Sequence, residues 1–153
     1  KFINSDKKEI IKNLLDSNLT GRGGAGFPTG MKWDFCSKAK SEKKYVVCNA
    51  DEGDSGAYSD RYLLEDQPLK VIFGMIICGY VIGSDEGVLY IRGEYPKSIE
   101  SINASINSSK SVNHQFGMSS KSAFFIFSGI LEDEHYFFFT HFTGIKDGRR
   151  TTG

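Results

Sequence analysis

A glycine-rich segment near the start of the chain has the composition of a ligand-binding loop. Residues 21–30 read GRGGAGFPTG, and four of the first six are glycine. Glycine lets a backbone approach a flat or phosphorylated ligand closely and present N–H groups to its anionic parts. Arg22 and Lys32 add positive charge nearby, and Phe27 and Trp33 make a merely flexible surface loop the weaker interpretation.

The same glycines partly match a known fingerprint. Gly21, Gly23 and Gly26 satisfy GxGxxG, which binds dinucleotides where a strand precedes the loop and a helix opens at it. Residues 5–19 instead have the apolar spacing of an amphipathic helix, with Ser5 or Asp6 as its N-cap. The ordinary dinucleotide-binding context is therefore not expected.

A second segment, CNADEGDSG, follows a β-branched run that predicts a buried strand. Ligands of α/β sheets bind where such strands end. Asn49, Asp51 and Glu52 carry amide and carboxylate groups suited to ribose or ribityl hydroxyls and to the polar edge of a flavin ring. Two alternatives remain: a calcium site that includes Asp54, although the spacing is not that of an EF-hand, and a merely solvated acidic turn.

Other catalytic and metal-binding patterns are absent from the sequence. It contains no GxSxG, HExxH or P-loop segment, and its three histidines are not at ligand spacing. The cysteines form no CxxC pair and are too few for an iron–sulfur cluster, so we expect free, buried thiols in a reducing compartment. They are Cys36, Cys48 and Cys78.

The bulk properties exclude two classes of protein. Nineteen basic residues balance nineteen acidic ones, so no electrostatic footprint for nucleic acid is expected. The most apolar stretch, residues 71–82, is too short to cross a bilayer. The length of 153 residues suits one domain.

The order of elements predicts an α/β domain with a largely parallel sheet flanked by helices. Helices are expected over 5–19, 70–82 and 97–106, and strands over 45–50, 88–95 and 122–129. The serine- and asparagine-rich residues 103–113 are expected to form a loop. Beyond about residue 116 the sequence becomes aromatic-rich without a clear period.

Three long motifs resemble one family in the right order. GRGGAGFPTGMKW, YVVCNADEGDSGAYSDRYLLEDQP and GMIICGYVIGSDEGVLYIRGEYP are similar to the FMN- and NADH-binding subunit of respiratory complex I. Similar domains occur in NAD(P)-reducing hydrogenases and NAD-dependent formate dehydrogenases. The resemblance covers residues 5 to about 108.

The resemblance implies specific binding residues. Those for FMN are Gly21, Arg22, Gly23, Gly24, Gly26, Lys32, Asn49, Asp51 and Glu52. Those for NADH are Phe27 and Phe35, which match aromatics that pack on adenine, and Asp54, beside the nicotinamide. No side chain is expected to act as acid or base, because the flavin carries the chemistry.

The resemblance also implies an architecture and partners. Residues 1–118 would be the core of a Rossmann-like FMN-binding domain that is C-terminally incomplete, without the family's ubiquitin-like and 4Fe-4S domains, and residues 119–153 its diverged end. NADH would be the substrate. The partners would be a thioredoxin-like 2Fe-2S subunit and a larger iron–sulfur subunit, in bacterial cytoplasm, mitochondrial matrix or hydrogenosome.

The tail departs from the family pattern. Ser128 and Gly129 begin a GAGAYxCGEETA-like segment, but ILEDEHYFFFTHF replaces the remainder. Glu132, Asp133 and Glu134 are a diverged counterpart of its glutamates under one interpretation. Under another, the sequence after Gly129 is translated out of frame, which a GEETA-like segment in another frame of the gene would reveal. A non-catalytic remnant is the rival functional interpretation.

Overall fold

The computed structural model describes residues 6–22, 24–115, 123–129 and 138–140. Five helices and four strands occur within these ranges. In chain order they are α1 (Lys7–Asp16), α2 (Thr29–Lys38), β1 (Tyr45–Ala50), α3 (Ser59–Asp66), α4 (Pro68–Ile82), β2 (Glu86–Arg92), α5 (Pro96–Gln115), β3 (Ala123–Gly129) and β4 (Phe138–Thr140).

The strands form a single sheet in the order β1-β2-β3-β4. The first three are parallel, with Val47 opposite Val88 and Val88 opposite Phe125, and β4 pairs antiparallel with β3. Helical connections link the parallel strands, as the geometry of parallel pairing requires. The prediction of an α/β domain with a largely parallel sheet is confirmed.

The main core lies between the sheet and helices α3, α4 and α5. Leu89 and Ile91 of β2 are fully buried against Ile72 and Ile76 of α4 and Ile102 of α5. Burying each such side chain stabilises the fold by about 1.5–3 kcal/mol. The alternate residues of β1 lie on the other face of the sheet, where Tyr45, Val47 and Asn49 are exposed.

A second, smaller core holds the first two helices against α4. It consists of Ile10 and Ile11 of α1 and Val81 and Ile82 of α4, with Trp33 of α2 packed against them. At the contact between α1 and α2, a Cβ on Gly30 would come within 2.8 Å of Leu15 Cγ. These contacts fix the two helices that enclose the glycine-rich loop.

Several predicted boundaries were wrong. Residues 29–38, where no helix was predicted, form α2, and helix α3 was not predicted either. Helix α5 continues to Gln115, so the expected loop over 103–113 is helical. Its buried Ser105 and Ile106 pack it into the core, which overrides weak helix propensity. Helix α4 ends as predicted at Gly83, whose φ is 76°.

None of the helices in the described part of the chain has the length and apolarity needed to cross a membrane.

Candidate functional site

The glycine-rich loop is closed at its base by backbone hydrogen bonds. The amide of Gly21 donates to the carbonyl of Phe27 at 2.9 Å, and the amide of Thr29 donates to the carbonyl of Leu19 at 2.9 Å. Thr20 and Pro28 form a β-bridge between these two bonds. The loop therefore projects from a fixed base at the start of α2.

This loop contains backbone donors without an acceptor. Gly24 and Gly26 have φ angles of 94° and 59°, which only glycine adopts without strain. Their amides, and that of Arg22, donate to no acceptor in the part of the chain that the structure describes. Gly23 lies outside the described residues. Unpaired N–H groups beside a cation are suited to an anionic ligand.

Helix α2 begins directly after this loop, and its other end lies beside the start of β1. The ammonium of Lys44, just before β1, donates to the carbonyl of Ser37 near the end of α2 at 3.0 Å. Trp33 of α2 and Val46 of β1 pack against the same small core.

At its carboxyl end, β1 opens into an acidic loop of residues 51–56. The Oδ1 atom of Asn49 accepts a hydrogen bond from the amide of Asp51 at 3.1 Å. The carbonyl of Asp51 accepts from the amide of Gly53, and that of Asp54 from the amide of Ala57, each at 3.1 Å. These bonds turn the chain sharply and leave the side chain of Asp54 exposed.

Glu52 has a definite structural partner, the amino end of α3. Its Oε1 accepts from the amide and hydroxyl of Ser59 at 2.9 and 2.8 Å, and its Oε2 accepts from the amide of Asp60 at 3.1 Å. Partial desolvation raises the pKa of Glu52, but these hydrogen bonds outweigh it and hold the pKa below its ordinary value. The carboxylate thus satisfies helix amides that otherwise lack acceptors.

Arg92, at the end of β2, joins the acidic loop to the neighbouring strand. Its Nη1 donates to the carbonyl of Glu52 at 2.8 Å, and its Nη2 and Nε donate to the carboxylate of Glu94 at 2.9 and 3.2 Å. Its Nε lies 4.0 Å from Asp51 Oδ1. Hydrogen bonding to Glu94 raises the pKa of Arg92.

Sequence reasoning missed this arginine. The segment VLYIRGEY was interpreted only as a strand, on its apolar residues. The position of a charged pair, Arg92 and Glu94, where a parallel strand ends is the signal that would have identified it.

The aromatic residues of the expected nucleotide site lie on α2 and just before it. The ring centroids of Phe27 and Phe35 are 6.4 Å apart, with an interplanar angle of 47°. Phe35 is 57% exposed, and Phe27 is 45% exposed. Lys32 is exposed in the first turn of the helix between them. The helix thus presents two solvent-facing rings and one cation beside the glycine-rich loop.

The remaining expectations concern the acidic residues of the tail, metal binding and the cysteines. Glu132, Asp133 and Glu134 lie outside the described residues. Among the described ones, no three acidic, cysteine or histidine side chains are grouped to hold a metal ion. All three thiols are free, as expected, but Cys36 is exposed rather than buried. Burial raises the pKa of Cys48, and raises that of Cys78 to about 12.

Comparison with known proteins identifies relatives of most of this region. Residues 14–128 match the family model of the Nuo51 FMN-binding domain. The chain is 54% identical over 88 residues to the NAD-reducing hydrogenase HoxS subunit alpha of Cupriavidus necator, covering 58% of this chain and 15% of that protein. It is 48% identical over 98 residues to an NADH-quinone oxidoreductase subunit of Rhizobium meliloti, covering 64% and 23%.

A solved structure has a similar fold. The crystal structure of NAD+-reducing NiFe hydrogenase in the H2-reduced state superposes with a TM-score of 0.75 at 35% sequence identity. The match covers 83% of this chain and 22% of that one. The chain therefore spans less than a quarter of each of these relatives.

Proposed function

Because the chain belongs to the family of Nuo51 FMN-binding domains, we propose that it is an NADH-oxidising flavoprotein domain. One observation carries the proposal. The chain combines a closed glycine loop with unpaired amides and, where β1 ends, an acidic loop that offers amide and carboxylate groups. An anionic cofactor with a polar hydroxylated chain matches the chemistry of both loops.

The residues divide by the part of the ligands that they suit. The amides of Gly24 and Gly26, with Arg22 and Lys32, would hold the phosphate of FMN, because they supply donors and positive charge together. The side chain of Asn49 and its neighbours would hold the hydroxylated chain and the polar ring edge.

Glu52 would contribute in a different way from the other acidic residues. Its carboxylate already accepts hydrogen bonds from the amino end of α3. It would therefore act on FMN chiefly by fixing the loop that carries Asp51. Asp51 and Asp54 are the acidic groups of the loop whose oxygens have few protein partners.

NADH would bind beside the flavin on the outer surface of α2. Phe27 and Phe35 expose ring faces there, and stacking on an adenine would cover apolar surface that now contacts solvent. Asp54 would lie towards the nicotinamide. When bound, FMN would supply the redox chemistry, which is hydride transfer from NADH. The role of the protein groups would be to position the two rings, which is the main contribution that a redox cofactor requires.

The electron acceptor would be an iron–sulfur cluster outside this chain. Its carrier would be a thioredoxin-like 2Fe-2S subunit or a larger iron–sulfur subunit of a complex I-like or hydrogenase-like assembly. The names of both curated relatives describe them as subunits, which supports an assembly of this kind.

The proposal is tested by titrating the purified 153-residue chain with FMN and following the quenching of flavin fluorescence. NADH is then added without oxygen, and bleaching of the flavin absorbance is recorded. Saturable binding followed by bleaching supports the proposal. Binding without bleaching restricts the chain to cofactor binding, and an absence of binding overturns the proposal in favour of a non-catalytic remnant.

Two glycine variants separate a role in binding from a role in folding. In Gly24→Ala, an alanine must adopt a backbone φ of 94°, although no atom lies within 4 Å of the new Cβ. Gly83→Ala places the same kind of strain, at φ 76° and also without a clash, in the connection between α4 and β2. Each should lower stability by about 1–2 kcal/mol. Only Gly24→Ala should weaken FMN binding.

A further inference from the structure

We infer that Arg92, held by Glu94, is a positioning residue that fixes the acidic loop in the geometry needed for FMN binding. The role in FMN binding rests on the proposed function. The clamp itself, by which we mean the hydrogen bonds of Arg92 to the carbonyl of Glu52 and to the carboxylate of Glu94, is independent of it. Arg92 has no part in the set of binding residues that the sequence implied.

Glu52 is held from two sides by different elements. Its carbonyl accepts from Arg92 of β2, and its carboxylate accepts from the amides that begin α3. Since the amide of Asp51 is also bonded to Asn49 Oδ1, the first two residues of the loop are fixed relative to β1, β2 and α3. Removing the arginine leaves the carbonyl of Glu52 without that donor.

The acidic loop concentrates negative charge. Asp51, Glu52 and Asp54 place three carboxylates within four positions, and like charges at this spacing repel one another. The guanidinium of Arg92 lies 4.0 Å from Asp51 Oδ1 and bonds the carbonyl of the next residue. It therefore lowers the electrostatic cost of bringing an anionic cofactor to an acidic loop.

The guanidinium of Arg92 is itself fixed. Both oxygens of Glu94 accept from it, and its central carbon lies 6.0 Å from the ring centroid of Tyr95. Bidentate pairing with a carboxylate restricts a guanidinium to one orientation. A lysine at position 92 would keep the charge but cannot bond Glu94 and the carbonyl of Glu52 with the same fork geometry.

The test compares Arg92→Gln, Arg92→Lys and Glu94→Gln in the full chain by two readouts. The first is hydrogen exchange of the amides of Gly53 and Ala57, which needs no ligand. The second is the dissociation constant for FMN. Arg92→Gln should accelerate exchange and weaken FMN binding, each by about tenfold, as expected for loss of a hydrogen bond from a charged donor. Arg92→Lys and Glu94→Gln should show intermediate effects.

The matched control is Arg61→Gln. Arg61 also lies over Tyr95, at 5.5 Å, and pairs with Glu65, but its side chain donates no hydrogen bond to the acidic loop. It should leave both readouts at their wild-type values. If a folded Arg92→Gln exchanges its loop amides at the wild-type rate, the clamp does not exist.

Failure of the proposed function is distinguishable from failure of the clamp. If the wild-type chain does not bind FMN, the proposed function is overturned, and the exchange rates alone decide whether Arg92 holds the loop. If the wild-type chain binds FMN and Arg92→Gln binds it equally well, the positioning role is overturned even where exchange is faster. Should Arg92→Gln not fold, Glu94→Gln decides between these outcomes, because it loosens the guanidinium without removing it.

Discussion

The contact between α1 and α2 predicts a destabilising substitution at Gly30. A Cβ at this position would lie 2.8 Å from Leu15 Cγ and 3.0 Å from the backbone nitrogen of Leu15. The exposed side chain of Leu15 is able to rotate away, but its backbone is part of α1 and cannot. Gly30→Ala must therefore push the two helices apart.

The magnitude follows from two opposing effects. Overpacking of this kind costs about 1–3 kcal/mol. Replacing a helical glycine with alanine recovers at most about 1 kcal/mol of backbone entropy and helix propensity. Gly74→Ala, on the exposed side of α4, meets no atom within 4 Å and gains the second effect alone. The difference between the two variants therefore isolates the steric cost.

The assay is urea unfolding of both variants and the wild type, followed by the fluorescence of Trp33, which is the single tryptophan and lies on α2. We expect Gly74→Ala to be as stable as the wild type or about 1 kcal/mol more stable. Gly30→Ala should unfold at a lower urea concentration with an unchanged slope. Equal midpoints for the two variants would refute the packing of α1 on α2.

Three further outcomes follow from the charges and hydrogen bonds. The pKa of Glu52 is lowered, so the stability from its hydrogen bonds is complete above the unfolded pKa of 4.5 and is lost as pH falls through the folded pKa. Glu52→Gln should therefore make the urea midpoint of unfolding less dependent on pH below about pH 5. Iodoacetamide should alkylate exposed Cys36 well before Cys78, whose pKa is about 12, and mass spectrometry of timed samples would show the reverse order if the burial were wrong. Lys44→Met removes the donor to carbonyls near the ends of α2 and α4 and should cost about 1–3 kcal/mol, measured by urea unfolding, whereas an unchanged midpoint would contradict that role.

The sheet and its longer elements were predictable from the sequence because their signals are local. The apolar run of β1 and the glycine after α4 each encode their element within a few residues. Helix α3 was not predictable in this way. The carboxylate that satisfies its first amides comes from Glu52, seven residues before Ser59, and no local window links the two. Helix α2 was missed because its Thr29-Gly30 start follows a glycine- and proline-rich segment that is typical of loops.

The candidate site was predictable in residue type and less so in role. The glycine loop and acidic loop were identified from composition, and the structure gives both a hydrogen-bonded geometry. The function of Glu52 as a helix cap and the presence of Arg92 depend on strands and helices meeting in space. Sequence motifs name the groups that are available, whereas tertiary contacts decide which of them remain free for a ligand.

The two loops of the site depend on different cores, and this separation makes their contributions independently measurable. The acidic loop extends from β1 and is held by β2 and α3, which pack in the core that contains Ala50, Leu64 and Leu89. The glycine loop lies between α1 and α2, which pack on Val81 and Ile82 of α4. Helix α4 contributes to both cores and sets their relative position. Loosening α1 against α2, as in Gly30→Ala, should therefore weaken FMN binding without accelerating hydrogen exchange in the acidic loop. Arg92→Lys, in contrast, should accelerate hydrogen exchange in that loop.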